Sequence, residues 1–313
     1  MKKAILLLLS ILFARQIDAF PKTDGATVPS YPDVSILIDE PEVMKKGCRT
    51  EIILYALPNG NSIEWTAGKR LEEGDDWHFN IQHIAAQTAF LRAHDKSRNY
   101  VTVYLMAKQK AWSTWNRIHK DISTGTYEAI IGDIVARYKG YRPSITISSH
   151  SGGGYFIFNY IAGTAKINPA IKRFAFLDSV YGYETQTHFD KLKEWLRKPG
   201  HFLSVISYED TTVIYNGKPL VSAEGGTWGR SHRMLEDFGT VFPFKEEIND
   251  TMEIYKALGG RFSIKLLRNP EGKIFHTVLV ARNGFIDSFL TGTAREGRAY
   301  TFWGDWAYEE YIK

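Results

Sequence analysis

The chain predicts an α/β fold, a mostly parallel central sheet with helices on both faces. Three observations carry that expectation. Short runs rich in Val, Ile, Tyr and Phe alternate with stretches of helical apolar period through most of the 313 residues. One junction, Ser144-Ile-Thr-Ile-Ser-Ser-His-Ser-Gly-Gly-Gly-Tyr155, has the form of a strand, a sharp turn and a helix. Ser151, Asp178, Asp210 and His276 each fall just after a predicted strand, at the edge where open α/β sheets hold their ligands.

The elements follow in order. Val34–Ile38 and Glu51–Leu57 read as strands. Trp77–His94 reads as a helix with Ile81, Ile84, Ala85, Thr88 and Leu91 on one face. Tyr100–Met106 is a Val- and Tyr-rich strand, Tyr127–Tyr138 a helix, Ile145–Ser149 a strand and Tyr155–Ala165 a helix. Arg173–Asp178 and Phe202–Tyr208 read as strands around a helix at Phe189–Arg197. Phe244–Leu258 reads as a helix, Arg261–Leu267 as a strand and Thr277–Leu290 as a closing helix. Two stretches break the alternation: 107–125, with Trp112 and Trp115, and 211–243, with Gly225-Gly226 and Trp228. Both are expected to be long loops walling the active edge.

The first residues, Met1-Lys-Lys and the apolar run Ala4 to Ala14, have the layout of a signal peptide, with residues 1–19 removed after Ala19. Phe20 to Asp33 reads as an extended arm, and 20–313 as a single catalytic domain. The expected location is secreted or periplasmic, with no stable membrane insertion after cleavage, because the apolar run is too short to span a bilayer. Removing Lys2, Lys3, Arg15 and Asp18 lowers the formal net charge from +4 to +2, and no Lys/Arg run stands out, so nucleic acid is not an expected partner. Cys48 is the only cysteine, so no intrachain disulfide can form and stability must come from the core.

The turn at Ser151 carries the chemistry. A serine at such an apex projects clear of the sheet, and glycines permit the tight reversal. The Gly152 amide, at the start of the next helix, would point at anything bound to the Ser151 oxygen, which prepares a nucleophile and half of an oxyanion hole. Ser149 stands where Gly-x-Ser-x-Gly has its first Gly. A serine needs a base, and His276, after the last predicted strand and just before the last helix, is preferred over His232. His78 and His83 sit in a predicted helix, where histidine is more often structural. For the acid, Asp178 ends an apolar strand at fixed depth and is favoured over Asp210, which adjoins Glu209 in a more polar run. A second oxyanion donor is sought in Leu57-Pro-Asn-Gly-Asn-Ser62, through Gly60 or Asn59. Asn61, His150, Trp112, Trp115 and Trp228 are candidate pocket residues, the tryptophans as faces for sugars or aryl groups.

On Ser151 within Ser149-His-Ser-Gly-Gly153, a following acid and His276 near the end, the chain resembles the α/β-hydrolase superfamily, in the order Ser, Asp, His. The resemblance implies a three-layer sandwich. In that superfamily the acid usually follows the strand after the next, which selects Asp210; some lipase-like members place it one strand earlier, which selects Asp178. It also implies hydrolysis through a covalent acyl-enzyme with no metal or organic cofactor. The expected substrate is a small-molecule or glycan-linked acyl ester. Amide or peptide cleavage with the same triad, or a non-catalytic binding protein on this scaffold, are the alternatives.

Overall fold

The computed structural model describes residues 30–75, 81–222 and 224–313. The expected leader, most of the arm, and Trp77 and His78 lie outside the described residues. In chain order the elements are β1 (Val34–Asp39), β2 (Arg49–Ala56), α1 (Ile63–Ala67), α2 (Ile84–His94), β3 (Arg98–Ala107), α3 (Trp112–Ile118), α4 (Ser123–Arg137), β4 (Pro143–His150), α5 (Gly154–Gly163), β5 (Ile171–Leu177) and α6 (Thr185–Leu196). They continue with β6 (Phe202–Tyr208), a small hairpin of β7 (Ile214–Tyr215) and β8 (Lys218–Pro219), α7 (Thr227–Gly239), β9 (Lys245–Ile248), β10 (Met252–Ala257), β11 (Phe262–Leu267) and α8 (Phe285–Leu290).

Nine strands form one sheet in the order β1-β3-β2-β4-β5-β6-β11-β10-β9. The strands from β3 to β11 in that order pair in parallel. Antiparallel β1 closes one side, and the antiparallel pair β10 and β9 closes the other. Alternation of side chains makes the three layers. On β2, Ile52, Leu54 and Ala56 face a core shared with α3 to α7, whereas Ile53, Tyr55 and the following Leu57 face a second core shared with α1, α2 and α8. Both faces being covered, the central strands read as continuous apolar runs, which is why their sequence signal was strong.

Several expectations fail, each for a tertiary reason. Phe244–Leu258 is not a helix but the hairpin of β9 and β10. Lys, Glu and Ala there favour helix locally, yet Met252–Ala257 buries every second residue against β11. The turn is made by Asn249, whose Oδ1 accepts the amides of Thr251 and Met252 at 2.9 and 3.0 Å. The two stretches expected as loops contain helices. In α3, Trp112 and Trp115 are fully buried and pack on Tyr127, so they are core residues rather than exposed faces at the rim. Helix α7 is capped from a distance by Asp210. The expected closing helix is broken: Asn283 has φ 64° and bonds through Nδ2 to Thr301 O and Asp305 O, and regular helix survives only over Phe285–Leu290. Likewise α2 begins at Ile84, because His83 takes φ 52°.

Candidate active site

The turn after β4 holds Ser151 at φ 53°, in the left-handed region that residues with a Cβ avoid. Its three glycines are there for close approach. A Cβ on Gly152 would lie 2.1 Å from Asn59 Oδ1, one on Gly153 2.1 Å from Ala56 O, and one on Gly154 1.8 Å from Ser179 O. The turn is thus wedged between the ends of β2 and β5. Ser149, where glycine is usual, bonds Oγ to Oγ with Ser179 at 2.8 Å, and the Ser179 hydroxyl also reaches Ser149 O at 3.2 Å. A buried serine is tolerated because a partner satisfies it.

Asp178, just past β5, is fully buried and also has positive φ, 45°. Its amide donates to Ile206 O at 2.7 Å, which fixes the carboxylate at the carboxyl edge of the sheet. His276 Nδ1 bonds to Asp178 Oδ2, and Thr227 Oγ1 donates to Asp178 Oδ1. A carboxylate only accepts, so Nδ1 of the imidazole carries a proton. Neither His276 Nε2 nor the Ser151 hydroxyl has a hydrogen-bond partner among the described residues, so the two are not bonded to each other here.

Asp210 plays a different part. Its Oδ2 accepts the Thr227 amide at 2.7 Å and its Oδ1 the Trp228 amide at 3.4 Å, at the N-terminus of α7. A Cβ on Gly226 would fall 2.3 Å from this carboxylate, so glycine is required there. Burial, and then the nearby Asp178 charge, raise the Asp210 carboxyl to about 6. His232, the other candidate base, is turned toward Trp228 O at 3.0 Å and Glu253 at 3.8 Å. The site brings Asp178, not Asp210, onto His276.

His150, expected in the pocket, is buried behind it. Tyr55 donates its hydroxyl to Gln82 Oε1 at 2.6 Å, so Gln82 Nε2 faces His150 Nδ1 at 3.0 Å. That leaves His150 Nε2–H to donate to the main-chain carbonyl of His276 at 2.9 Å. Burial holds the His150 ring well below its ordinary pKa, so it stays neutral. The chain of bonds from Tyr55 anchors the backbone of His276 while Asp178, itself held by Thr227, holds its ring. Gln82, Tyr55, Thr227 and Ser179 carry no local sequence signal and were not expected.

Around the turn, Asn59 lies against Gly152. Gly60 cannot supply an oxyanion amide, because its N–H donates to Lys110 O at 2.9 Å. Asn61 is buried, with 5% exposure, next to the Ser62 cap of α1. Trp228 is half-buried in the first turn of α7, with its ring 4.7 Å from that of His232. Among the described residues no group of three or more His, Cys, Asp or Glu has the arrangement to hold a metal, and no helix is long and apolar enough to cross a membrane.

No protein-family model matches the chain, and no curated protein is significantly similar to it in sequence. Three solved structures are similar in shape. A thermostable esterase shares 14% identity over 82% of this chain with a TM-score of 0.47, and this chain spans 59% of its length. The acetyl xylan esterase from Aspergillus awamori shares 8% identity, covering 76% of this chain and 88% of that one, with a TM-score of 0.39. Est1E from Butyrivibrio proteoclasticus shares 12%, covering 66% and 95%, with a TM-score of 0.29. The parallel core, helices on both faces, and a serine turn following a central strand make this an α/β-hydrolase-like fold.

Proposed function

We propose that the chain is a serine hydrolase that cleaves a carboxylic ester. The observation that carries the reading is the bond from His276 Nδ1 to buried Asp178, at the edge where Ser151 is held in a strained turn. Ser151 Oγ attacks the carbonyl carbon while His276 Nε2 takes its proton, and the carboxylate of Asp178 stabilises the imidazolium. The oxyanion is received by the Gly152 amide and a donor of Asn59. His276 then protonates the leaving alkoxide as the C–O bond breaks. Water, deprotonated by the same imidazole, releases the acid and restores Ser151. The Ser151–His276 bond closes when substrate is bound, as catalytic hydrogen bonds often do. The substrate is a small or glycan-linked acyl ester, and residues 1–19 direct export, which the mass of the exported protein would check.

A fluorophosphonate probe and an aryl acetate test the reading. Wild type labels and turns over; Ser151→Ala does neither, with turnover down by about 10⁵ or more. Equal labelling of the variant would remove Ser151 from the role.

A further inference from the structure

The opposite edge of the sheet holds a cavity of about 730 Å³ that the hydrolytic reading does not use. It lies at the amino ends of the central strands. Its cations are Arg49 on β2, Arg98 on β3, Arg142 just before β4, Lys172 and Arg173 on β5, and Arg295 beyond α8. Glu51 is the only acidic lining residue among the described residues. Two of the cations are neutralised locally, Arg98 by Glu51 at 2.8 Å and Arg295 by Asp95 at 2.7 Å. The other four make no ion pair among the described residues.

Three features mark the cavity. Arg49 and Arg98 are register partners on adjacent parallel strands, which brings two cations to one wall with Glu51 between them and four further cations around it. Arg142 holds φ 50°, a left-handed conformation that residues with a Cβ adopt rarely. Arg173 is buried, and its guanidinium bonds only to carbonyls, Ser288 O at 3.1 Å and Thr291 O at 2.9 Å. Carbonyls carry no formal charge; burial holds its pKa down to about 10, and the carboxylates of Glu51, Asp287 and Glu296 nearby offset that only in part. The remaining walls are mostly apolar, with the hydroxyl residues Ser144, Thr146 and Thr293 among them. Phe202, with its ring 4.4 Å from the Arg173 guanidinium, stands with Phe289, Tyr100 and Leu290.

We infer that this cavity binds a small organic molecule carrying two or more negative charges on an apolar body. The unpaired cations receive the anionic group, and Phe202, Phe289 and Leu290 receive the body. The volume falls in the range of small-molecule sites, on the order of 300–1,000 Å³. A ligand that binds there only in the folded state would stabilise the fold.

The probe is 1-naphthyl phosphate, titrated calorimetrically into the full chain beside inorganic phosphate and 1-naphthol. Expected is one-to-one binding at least about tenfold tighter than either fragment, weakening as NaCl rises from about 20 to about 200 mM. Arg49 and Arg142 are exposed, so an Arg49→Ser/Arg142→Ser variant should keep its circular dichroism spectrum and bind about tenfold or more weakly. Lys218→Ser/Lys245→Ser removes the same charge from exposed sites elsewhere and should bind as wild type does. If the double arginine variant loses its fold, Lys172→Gln replaces it with the same expectation. No saturable binding at millimolar probe, equal binding by the arginine variant, or equal weakening in the lysine control would each overturn the inference. None of these outcomes bears on Ser151.

Discussion

The two edges of the same sheet are built on opposite principles. At the carboxyl edge, charge is fixed by hydrogen bonds: Asp178 holds His276 and accepts Thr227, while Asp210 caps α7. At the amino edge, cations crowd a cavity and four make no ion pair among the described residues. The first edge is satisfied within the chain. The second is left electrically incomplete, which is what a site for an incoming anion requires. Stability alone would have favoured pairing at both.

The sharpest way to break the account of the carboxyl edge is to separate its two acids. Asp178→Asn removes the acceptor that fixes the His276 tautomer, and kcat should fall by about 10³–10⁴. Asp210→Asn leaves that bond intact and keeps one acceptor for α7, so kcat should fall less than about tenfold. Steady-state kinetics on one ester decides it. If Asp210→Asn costs as much as Asp178→Asn, the acid is shared and the division of labour between the two carboxylates is wrong.

That division explains how far the sequence could be read. The elbow was legible because it is local: strand, Ser151 and three glycines lie within a dozen residues, and the glycines meet Asn59, Ala56 and Ser179 at hard distances. Preference for Asp178 over Asp210 rested on an apolar strand ending in one acid, and it is Asp178 that meets His276. Helix α7 was missed because its cap, Asp210, comes from another strand end, while Gly225-Gly226 alone reads as a loop. The β9–β10 hairpin was missed because Glu, Lys and Ala propensities favour helix and only the β11 edge reverses them. Trp112 and Trp115 were placed at a rim because their stretch lacked period, whereas the fold seals them against Tyr127. The cationic cavity left no trace, since Arg49, Arg98 and Arg142 are far apart in the chain and parallel pairing gathers them, while Arg295 arrives from beyond α8.

A smaller effect is expected behind the imidazole. Gln82→Met breaks the relay from Tyr55, so His150 can no longer be held as the tautomer that donates to His276 O. The backbone of His276 is then less well placed. We expect kcat to fall about tenfold with KM nearly unchanged, and stability to drop by about 1–3 kcal/mol from unpaired buried groups. A loss in KM alone would mean that the relay shapes the pocket instead of positioning the base.

The Asp210 carboxyl also makes a pH prediction. Its pKa of about 6 in the folded chain lies above the ordinary 3.8, so the folded state binds the extra proton between those values. Its contribution is fully present below about pH 4 and is lost as pH rises through 6, by roughly 2–3 kcal/mol. Urea unfolding of wild type and Asp210→Asn should therefore show the variant gaining on wild type from pH 4 to pH 7. A constant difference across that range would mean that the α7 amides offset the burial of the charge.

The smallest expected effect sits at the elbow itself. Ser149→Gly restores the usual glycine and tests whether serine there serves the turn or only the packing. The variant loses the Ser149–Ser179 hydroxyl bond, but the Ser179 hydroxyl still donates to the carbonyl of residue 149, so no buried donor is stranded. One hydrogen bond and the greater chain entropy of glycine together cost about 1–2 kcal/mol in urea unfolding. The φ of Ser151 is imposed by the approach of Gly153 to Ala56 and Gly154 to Ser179, which the substitution leaves alone. Turnover should therefore stay within about threefold of wild type. A rise of tenfold or more would show that the Ser149 hydroxyl restrains the turn, and that packing at this edge competes with chemistry as it does not at the other.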